Sequence, residues 1–427
     1  MNTNMDGLLP DLPRQIADAV NPDRVMARIE ALATIGGLPN GGVDRPAFSD
    51  TEQDATELFA RWMREAGLTV VYDAFGNLFG STDANAPGSV VSAAGSHLDT
   101  VPSGGRYDGV IGCIGALEVI AAMHDAGVTP PMPMEVIVWR SEEPYRFMQG
   151  RVGSLMYAGK LTVADLVPRG EPFDVAAWLQ TEEARPRRGP GRTLASLLEL
   201  HIEQGRRLED AGVDIGVVTA ISGTTRLRIT LTGTADHSGA TPMGLRHDAL
   251  AAAAEVVLAT ERAGRDEPLP ESVATAAILT VTPGAMNVVP GGAEVFLDIR
   301  STDAASVARM ITAITDATTA IAQRRRVTVE ISMLTQATPV ALEPAMIAAV
   351  ETGARTLGYS TMQMASGAGH DAQSVAERTH AGMIFVPSRD GISHAPQEYT
   401  APDAILRGMR TLASTWTRIS ASTNSNG

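Results

Sequence analysis

The stretch Gly95-Ser96-His97-Leu98-Asp99-Thr100-Val101-Pro102-Ser103-Gly104-Gly105-Arg106-Tyr107-Asp108-Gly109 constrains the fold more than any other. It is a glycine-rich turn. Before it, Val90-Val91-Ser92-Ala93-Ala94 reads as a short buried strand. After it, Val110 to Ala126 reads as a helix rich in Ala, Ile and Leu. Strand, loop and helix in that order form the unit of an open α/β sheet, where ligands gather at strand ends. His97 and Asp108 flank the turn as candidate metal ligands. Asp99 is placed to accept a hydrogen bond from the second ring nitrogen of His97. A strand-end His and Asp are also common as ordinary satisfied polar residues. Further candidates in similar settings favour the metal reading: Glu142-Glu143, His201 and His394.

Along the chain, residues 1 to 20 read as a loose lead-in. Asn21-Pro22-Asp23 starts a helix that runs to Thr34. Ser49 to Ala66 reads as a second helix, with Glu52 and Glu57 on its polar face. Leu68 to Tyr72 and Gly76 to Gly80 follow as strands of a meander. Met134 to Trp139 is a nearly continuous apolar run, expected to be a strand buried on both faces. It delivers Ser141-Glu142-Glu143 to the sheet's edge. Adjacent carboxylates repel, so a cationic group should stand near them. Residues 161 to 193 are polar and proline-rich, and read as a surface excursion. His201-Ile202-Glu203 puts two candidates on one face if extended, and only one of the two is expected to be a ligand.

Near Ser222-Gly223 the pattern changes. Thr224 to Gly233 alternates strictly, and strand and helix signals then follow in the order β-α-β-β-α-β, the split βαβ arrangement of a compact domain. First-domain signals resume at Leu342. The expected domains are therefore 1–222, an insertion at 223–337, and 338–427. Met383 to Pro387 reads as a buried strand that leads to His394. A last helix runs from Asp403 to Ser420, and Ser422 to Gly427 reads as a disordered tail.

Composition excludes several classes. The chain has 427 residues, 44% hydrophobic and 19% charged, as in soluble globular proteins. A net charge of -15 argues against nucleic acid as a main partner. The single cysteine, Cys113, allows no intrachain disulfide. No apolar stretch approaches the roughly 18 residues a membrane span needs. Asp6, Asp11 and Asp18 interrupt any secretion signal, so a cytoplasmic location is expected. There is no His-Glu-x-x-His motif. One cysteine cannot build a deaminase-type zinc site, and Gly391-Ile392-Ser393-His394-Ala395 lacks the features of a nucleophile elbow.

Taken together, GSHLDTVPSGGRYDG, SEEPYRF, ELHIEQG, TADHSGATPM with Arg246 and Asp248, Asn287 to Pro290, Leu297 to Arg300, SGAGHDA and MIFVPSRDGISHAP resemble one family. It is the metal-dependent amidase and carbamoylase branch of the aminoacylase and carboxypeptidase family. N-carbamoyl-L-amino acid hydrolases, β-ureidopropionases and allantoate amidohydrolases belong to that branch. The resemblance spans Gly95 to about Tyr399. It implies an α/β catalytic domain with a mixed, mostly parallel sheet, helices on both faces, and an inserted ferredoxin-like lid or dimerisation domain.

The resemblance also implies roles. Two divalent ions per subunit are expected, zinc first, with manganese, cobalt or nickel as alternatives. His97 and His201 would hold one ion, Glu143 and His394 the other, and Asp108 would bridge. Glu142 would be the general base. His237, Asn287 and Arg300 would reach a substrate carrying a carboxylate, often in a partner subunit's site. Gln204 and Gly369 would line the pocket. From the sequence itself, His370, at a helix start beside Asp371, reads as a support for the ligands more than as a ligand. Arg300 also has a simpler reading as an ion pair with Asp298. Pro144-Tyr145 departs from the family's usual glycine after the glutamate pair and puts substrate identity in question. The implied activity is hydrolysis of a linear amide or ureido bond, with an N-carbamoyl-L-amino acid first, allantoate or another N-acyl amino acid second, and a non-catalytic small-molecule binder as the rival class.

Overall fold

The computed structural model describes residues 12–147, 149–168 and 173–423. They form two compact units. The first contains Met1–Thr219, Leu342–Met364 and His370–Gly427; the second contains Ala220–Ala341 and Ala365–Gly369. In chain order the elements are α1 (Leu12–Asp18), α2 (Pro22–Thr34), α3 (Asp50–Glu65), β1 (Thr69–Tyr72), β2 (Leu78–Ser81), β3 (Val90–His97), α4 (Val110–Asp125), β4 (Met134–Trp139), α5 (Val152–Tyr157), α6 (Val175–Thr181), β5 (Thr193–Ile202), α7 (Arg207–Ala211), β6 (Ile215–Ile221), β7 (Gly223–Thr232), β8 (Asp236–His237), α8 (Ala249–Arg265), β9 (Val273–Thr282), β10 (Val288–Val289), β11 (Gly292–Ser301), α9 (Ala304–Arg325), β12 (Thr328–Gln336), β13 (Val340–Ala341), α10 (Pro344–Thr356), β14 (Thr361–Ser366), α11 (Asp371–Val375), β15 (His380–Val386) and α12 (Pro402–Thr423).

In the first unit the sheet runs β1-β2-β4-β3-β5-β15-β6. The four central strands, β4, β3, β5 and β15, are parallel, and the outer pairs are antiparallel. The central strands end on one edge, where His97, Ser141-Glu142-Glu143 and His201 emerge. Helix α4 is buried from Val110 to Met123 and apolar there but for Glu118, which pairs with Arg24 at 2.7 Å. It packs on β3, β5 and β4 and is covered by α1, α2 and α12. The indole of Trp416 on α12 donates to Ser92 Oγ at 2.9 Å, which ties the last helix to β3.

Four expectations are corrected. The lead-in is not loose throughout: α1 buries Ile16 and Ala17 and packs on α12, while residues 1–11 lie outside the described ones. Glu52 is not on a polar face. It is buried and takes two hydrogen bonds from Arg140, at 3.0 and 2.9 Å. The excursion at 161–193 is not merely surface. Val175 joins Ala47, Phe48, Phe75, Phe147 and Val152 in a small second core. Trp178 lies 4.2 Å from the Arg140 guanidinium carbon, ring face toward cation. Arg140 directly precedes Ser141-Glu142-Glu143, so this roof clamps the strand end that carries the glutamate pair. Of the expected tail, Ser422 and Thr423 continue α12, and 424–427 lie outside the described residues.

The second unit is a four-stranded antiparallel sheet in the order β12-β7-β11-β9. Strands β7 and β11 alternate buried and half-buried residues along almost their whole length. Their buried face packs on α8 and α9 around Leu227, Ile229, Val295, Leu297, Val256 and Met310. The β-α-β-β-α-β order with the fourth strand beside the first is the ferredoxin-like arrangement.

Candidate active site

His97 ends β3 and His201 stands near the end of β5. Each uses its Nδ1 on a main-chain carbonyl: Asp99 O at 3.0 Å for His97, Ile202 O at 2.9 Å for His201. Both Nε2 atoms are thereby turned toward Asp108. They lie 3.4 and 3.1 Å from Asp108 Oδ1. The other carboxylate oxygen, Oδ2, is 3.3 Å from His394 Nε2, which is 3.2 Å from Glu143 Oε1. Two sets of ligand atoms therefore share one carboxylate: His97, Asp108 and His201, and Asp108, Glu143 and His394. Within each set the atoms lie within 4.8 Å of one another. Gly109 makes this approach possible. It has a φ of +65, and a Cβ there would sit 2.4 Å from His97 Nε2.

Glu142 Oε2 lies 4.0 Å from His97 Nε2. The main-chain N–H groups of Glu142 and Glu143 donate to the two oxygens of Asp99, at 3.1 and 3.0 Å. Asp99 accepts from the second ring nitrogen of His97 as expected, but through its main chain and not its carboxylate. Its main-chain oxygen orients His97, and its carboxylate holds the glutamate pair. The reach suits it, because Asp99 Oδ1 is 3.7 Å from His97 Nδ1, too far for a hydrogen bond. Ser141, Arg151, Gln204 and His394 all have φ near +60. Backbone in this sparsely populated region clusters at sites where the surroundings over-determine it.

The electrostatics favour positive charge among the ligand atoms. Burial lowers the affinity of His97 for a proton, but the hydrogen bond to Asp108 and the charges of Glu142 and Asp99 raise its pKa well above the imidazole range. Burial opposes the rise at His394 too, yet Asp108 and Glu143 push it up to about 11. Asp108 is held well below the carboxylate range against its burial, by His201, His394 and His97. Glu142 rises well above its ordinary value, chiefly through burial, with His97 opposing and Glu143 and Asp371 adding. The His370 ring sits edge-on to His201, centroids 4.6 Å apart, and burial with the charge of His201 keeps it well below the usual range. Imidazole nitrogens and carboxylate oxygens so arranged match the preferences of borderline divalent ions. The residues fit a metal pair.

Other candidates are placed differently. Glu203 is no part of either set, since its carboxylate takes the N–H groups of Arg207 and Leu208 at 2.7 and 2.9 Å, capping α7. Gln204 donates its amide to Asp108 Oδ2 at 2.7 Å. In the second unit, β8 and β10 pair His237 with Val288, the neighbour of Asn287. His237 Nδ1 accepts N–H bonds from Gly239 and Ala240, at 3.0 and 3.1 Å. That fixes the other nitrogen, Nε2, as the donor of the neutral ring. Arg300 donates from Nε and Nη2 to Asp298 at 2.6 and 3.3 Å and from Nη1 to Gly367 O at 3.0 Å. A guanidinium has five N–H donors, so two remain. Arg45 escapes sequence reading altogether. Fully buried, it donates to Leu98 O, Leu32 O and Ile35 O and so braces the turn after His97.

Comparison with known proteins identifies the family. Residues 93–418 match Peptidase family M20/M25/M40. An N-carbamoyl-L-amino acid amidohydrolase from Geobacillus stearothermophilus is 37% identical over 92% of this chain and 97% of its own length. A ureidoglycolate hydrolase from Arabidopsis thaliana is 34% identical over 94% of this chain and 87% of its own. A solved hydantoinase/carbamoylase family amidase from Burkholderia multivorans superposes with a TM-score of 0.86 at 36% identity, covering 94% of this chain and 98% of that one. The chain belongs to Peptidase family M20/M25/M40. It is a hydrolase of amide C–N bonds. Among the described residues no helix is long and apolar enough to cross a membrane.

Proposed function

We propose that the chain hydrolyses the carbamoyl C–N bond of an N-carbamoyl-L-amino acid, in the cytoplasm, with two divalent ions per subunit. The strongest support for this reading is Asp108, whose two oxygens face two separate sets of ligand atoms. His97 and His201 would hold one ion and Glu143 and His394 the other, with Asp108 offering an oxygen to each. Zinc is the first choice, and manganese, cobalt and nickel suit the same ligands. Bound there, such ions supply Lewis acidity and lower the pKa of a water. Glu142 takes a proton from the attacking water and returns it to the leaving nitrogen. Asp99 keeps the Glu142 backbone in place during that exchange.

His237 offers its Nε2–H to the oxygen of the scissile carbonyl. Asn287 and the two uncommitted N–H donors of Arg300 bind the substrate carboxylate, where a planar guanidinium gives paired bonds that lysine cannot. We further propose a homodimer through the second unit, with these three residues acting in the neighbouring subunit's site. Likeness to the Geobacillus amidohydrolase favours the carbamoyl substrate. The Arabidopsis relative favours a small ureido acid as the second reading, and allantoate or another N-acyl amino acid belongs to the same class. Pro144-Tyr145, with the tyrosine 39% exposed, is the departure from the family pattern that bears on this choice.

A panel of N-carbamoyl, N-acyl and ureido acids, assayed with each of the four metals, tests the substrate. The highest kcat/KM is expected for an N-carbamoyl-L-amino acid; a ureido acid preferred by more than tenfold would replace that reading with the second. Arg300→Lys should raise KM for carboxylate substrates about 10-fold or more, as loss of a charge-assisted hydrogen bond of about 1.5–3 kcal/mol requires. It should change hydrolysis of an analogue without the carboxylate much less. Equal loss on both would remove Arg300 from substrate binding. Mixing Arg300 and Glu142 variants should restore activity through hybrid dimers, and demonstrated subunit exchange without recovery would mean that each site is built from one chain.

A further inference from the structure

We propose that Glu398 is the positioning residue that fixes His394 against Asp108 and so governs occupancy of the Asp108–Glu143–His394 group. This rests on the two-ion reading above. Glu398 is 5% exposed. Its Oε1 accepts the main-chain N–H groups of Tyr107 and Asp108, at 2.9 and 3.2 Å. Its Oε2 lies 3.0 Å from Ser393 Oγ, and that hydroxyl also lies 3.0 Å from Asp108 Oδ2. One buried carboxylate thus grips the backbone of the bridging aspartate and the residue next to His394. It belongs to neither set of ligand atoms.

The need for such a tether comes from where the ligands sit. His97 and His201 project from central strands, whose register holds them. His394 lies in a loop, with φ of 57 and a side chain 46% exposed. No strand holds it in place. Backbone in the left-handed region persists only where surroundings impose it. The arm carrying Glu398 is short and closed, since Glu398 N–H donates to Ala395 O at 3.0 Å. Its outer end is anchored as well. The Tyr399 ring stands edge-on to Tyr107 at 6.1 Å, and Arg389 lies 4.1 Å over it. The seat exists because residue 105 is glycine. A Cβ there would fall 2.0 Å from the Glu398 carboxyl group.

Glu398→Ala and Glu398→Gln in the full chain test the inference. Gln keeps an oxygen for the two N–H donors and points its amide at Ser393. Bound Zn²⁺ per subunit and the affinity of each equivalent are measured against a competing chelator, with the melting temperature of the metal-free proteins alongside. Glu398→Ala should retain one equivalent and weaken the other by about 10–100-fold, the usual cost of losing a partner that orients a ligand. Glu398→Gln should recover most of that affinity. Two equivalents of normal affinity in Glu398→Ala would overturn the inference alone. So would equal loss of both equivalents with a large drop in metal-free melting temperature, which marks a general structural role, and so would a Gln variant as weak as Ala. A wild-type protein without a second equivalent would overturn the two-ion reading and this inference with it.

Discussion

Glu142→Gln is expected to keep its metals and lose about 10²–10⁴-fold in kcat, the usual contribution of a general base. In barrier terms that is about 3–5 kcal/mol. The variant should fold and load normally because the backbone at this position is held independently of the side chain. The Glu142 N–H is fixed by Asp99 at 3.1 Å, and the Glu142 carbonyl accepts the Arg151 N–H at 2.6 Å. Glutamine has the same shape but cannot take up the proton of an attacking water. The loss should fall on kcat more than on KM, since proton transfer belongs to the transition state. A fully metallated variant turning over at a near-normal rate would take the role of base away from Glu142.

Asp108→Ala should cost more, because one change removes a ligand from both sets. His97 and His201 would lose their shared oxygen, and His394 and Glu143 would lose theirs. Elemental analysis of the purified variant should find both ions depleted, and activity should fall below that of Glu142→Gln. The isosteric Asp108→Asn should lose the ions as well, because it keeps the shape and gives up the charge. Two tightly held metals in either variant would contradict the bridge.

Part of this site's geography is legible in the sequence because His97 and the Glu142-Glu143 pair each follow an apolar run. Val90 to Ala94 and Met134 to Trp139 each announce a central strand, and a strand delivers the residues at its end to the sheet's edge; the stretch before His201, interrupted by Ser196 and Glu199, leaves strand and helix open. Strict alternation at Thr224 to Gly233 announces the second unit in the same way. Periodicity cannot reveal the choice of a distant partner. Nothing near Glu52 indicates Arg140, and nothing in the proline-rich excursion indicates that Trp178 lies over that arginine. Asp99 stands next to the right histidine, yet only the folded chain shows its carboxylate turned to the glutamate pair. Arg45 and Glu398 are illegible for the same reason. Each is a charged residue with decisive partners far off in the sequence: Leu98 for Arg45, Tyr107 and Asp108 for Glu398. The one signal for Glu398 is Gly104-Gly105, since close approach of a buried side chain demands a glycine.

Metal removal and replacement bears most directly on two-ion hydrolysis by this chain. The protein is stripped with a chelator, shown metal-free by elemental analysis, and titrated with Zn²⁺, Mn²⁺, Co²⁺ or Ni²⁺ while hydrolysis of an N-carbamoyl-L-amino acid is followed by release of the free amine. The stripped protein should be inactive, and activity should return in step with the second ion bound per subunit. Full activity in the metal-free protein, or activity complete at one ion and unchanged by the second, would contradict it.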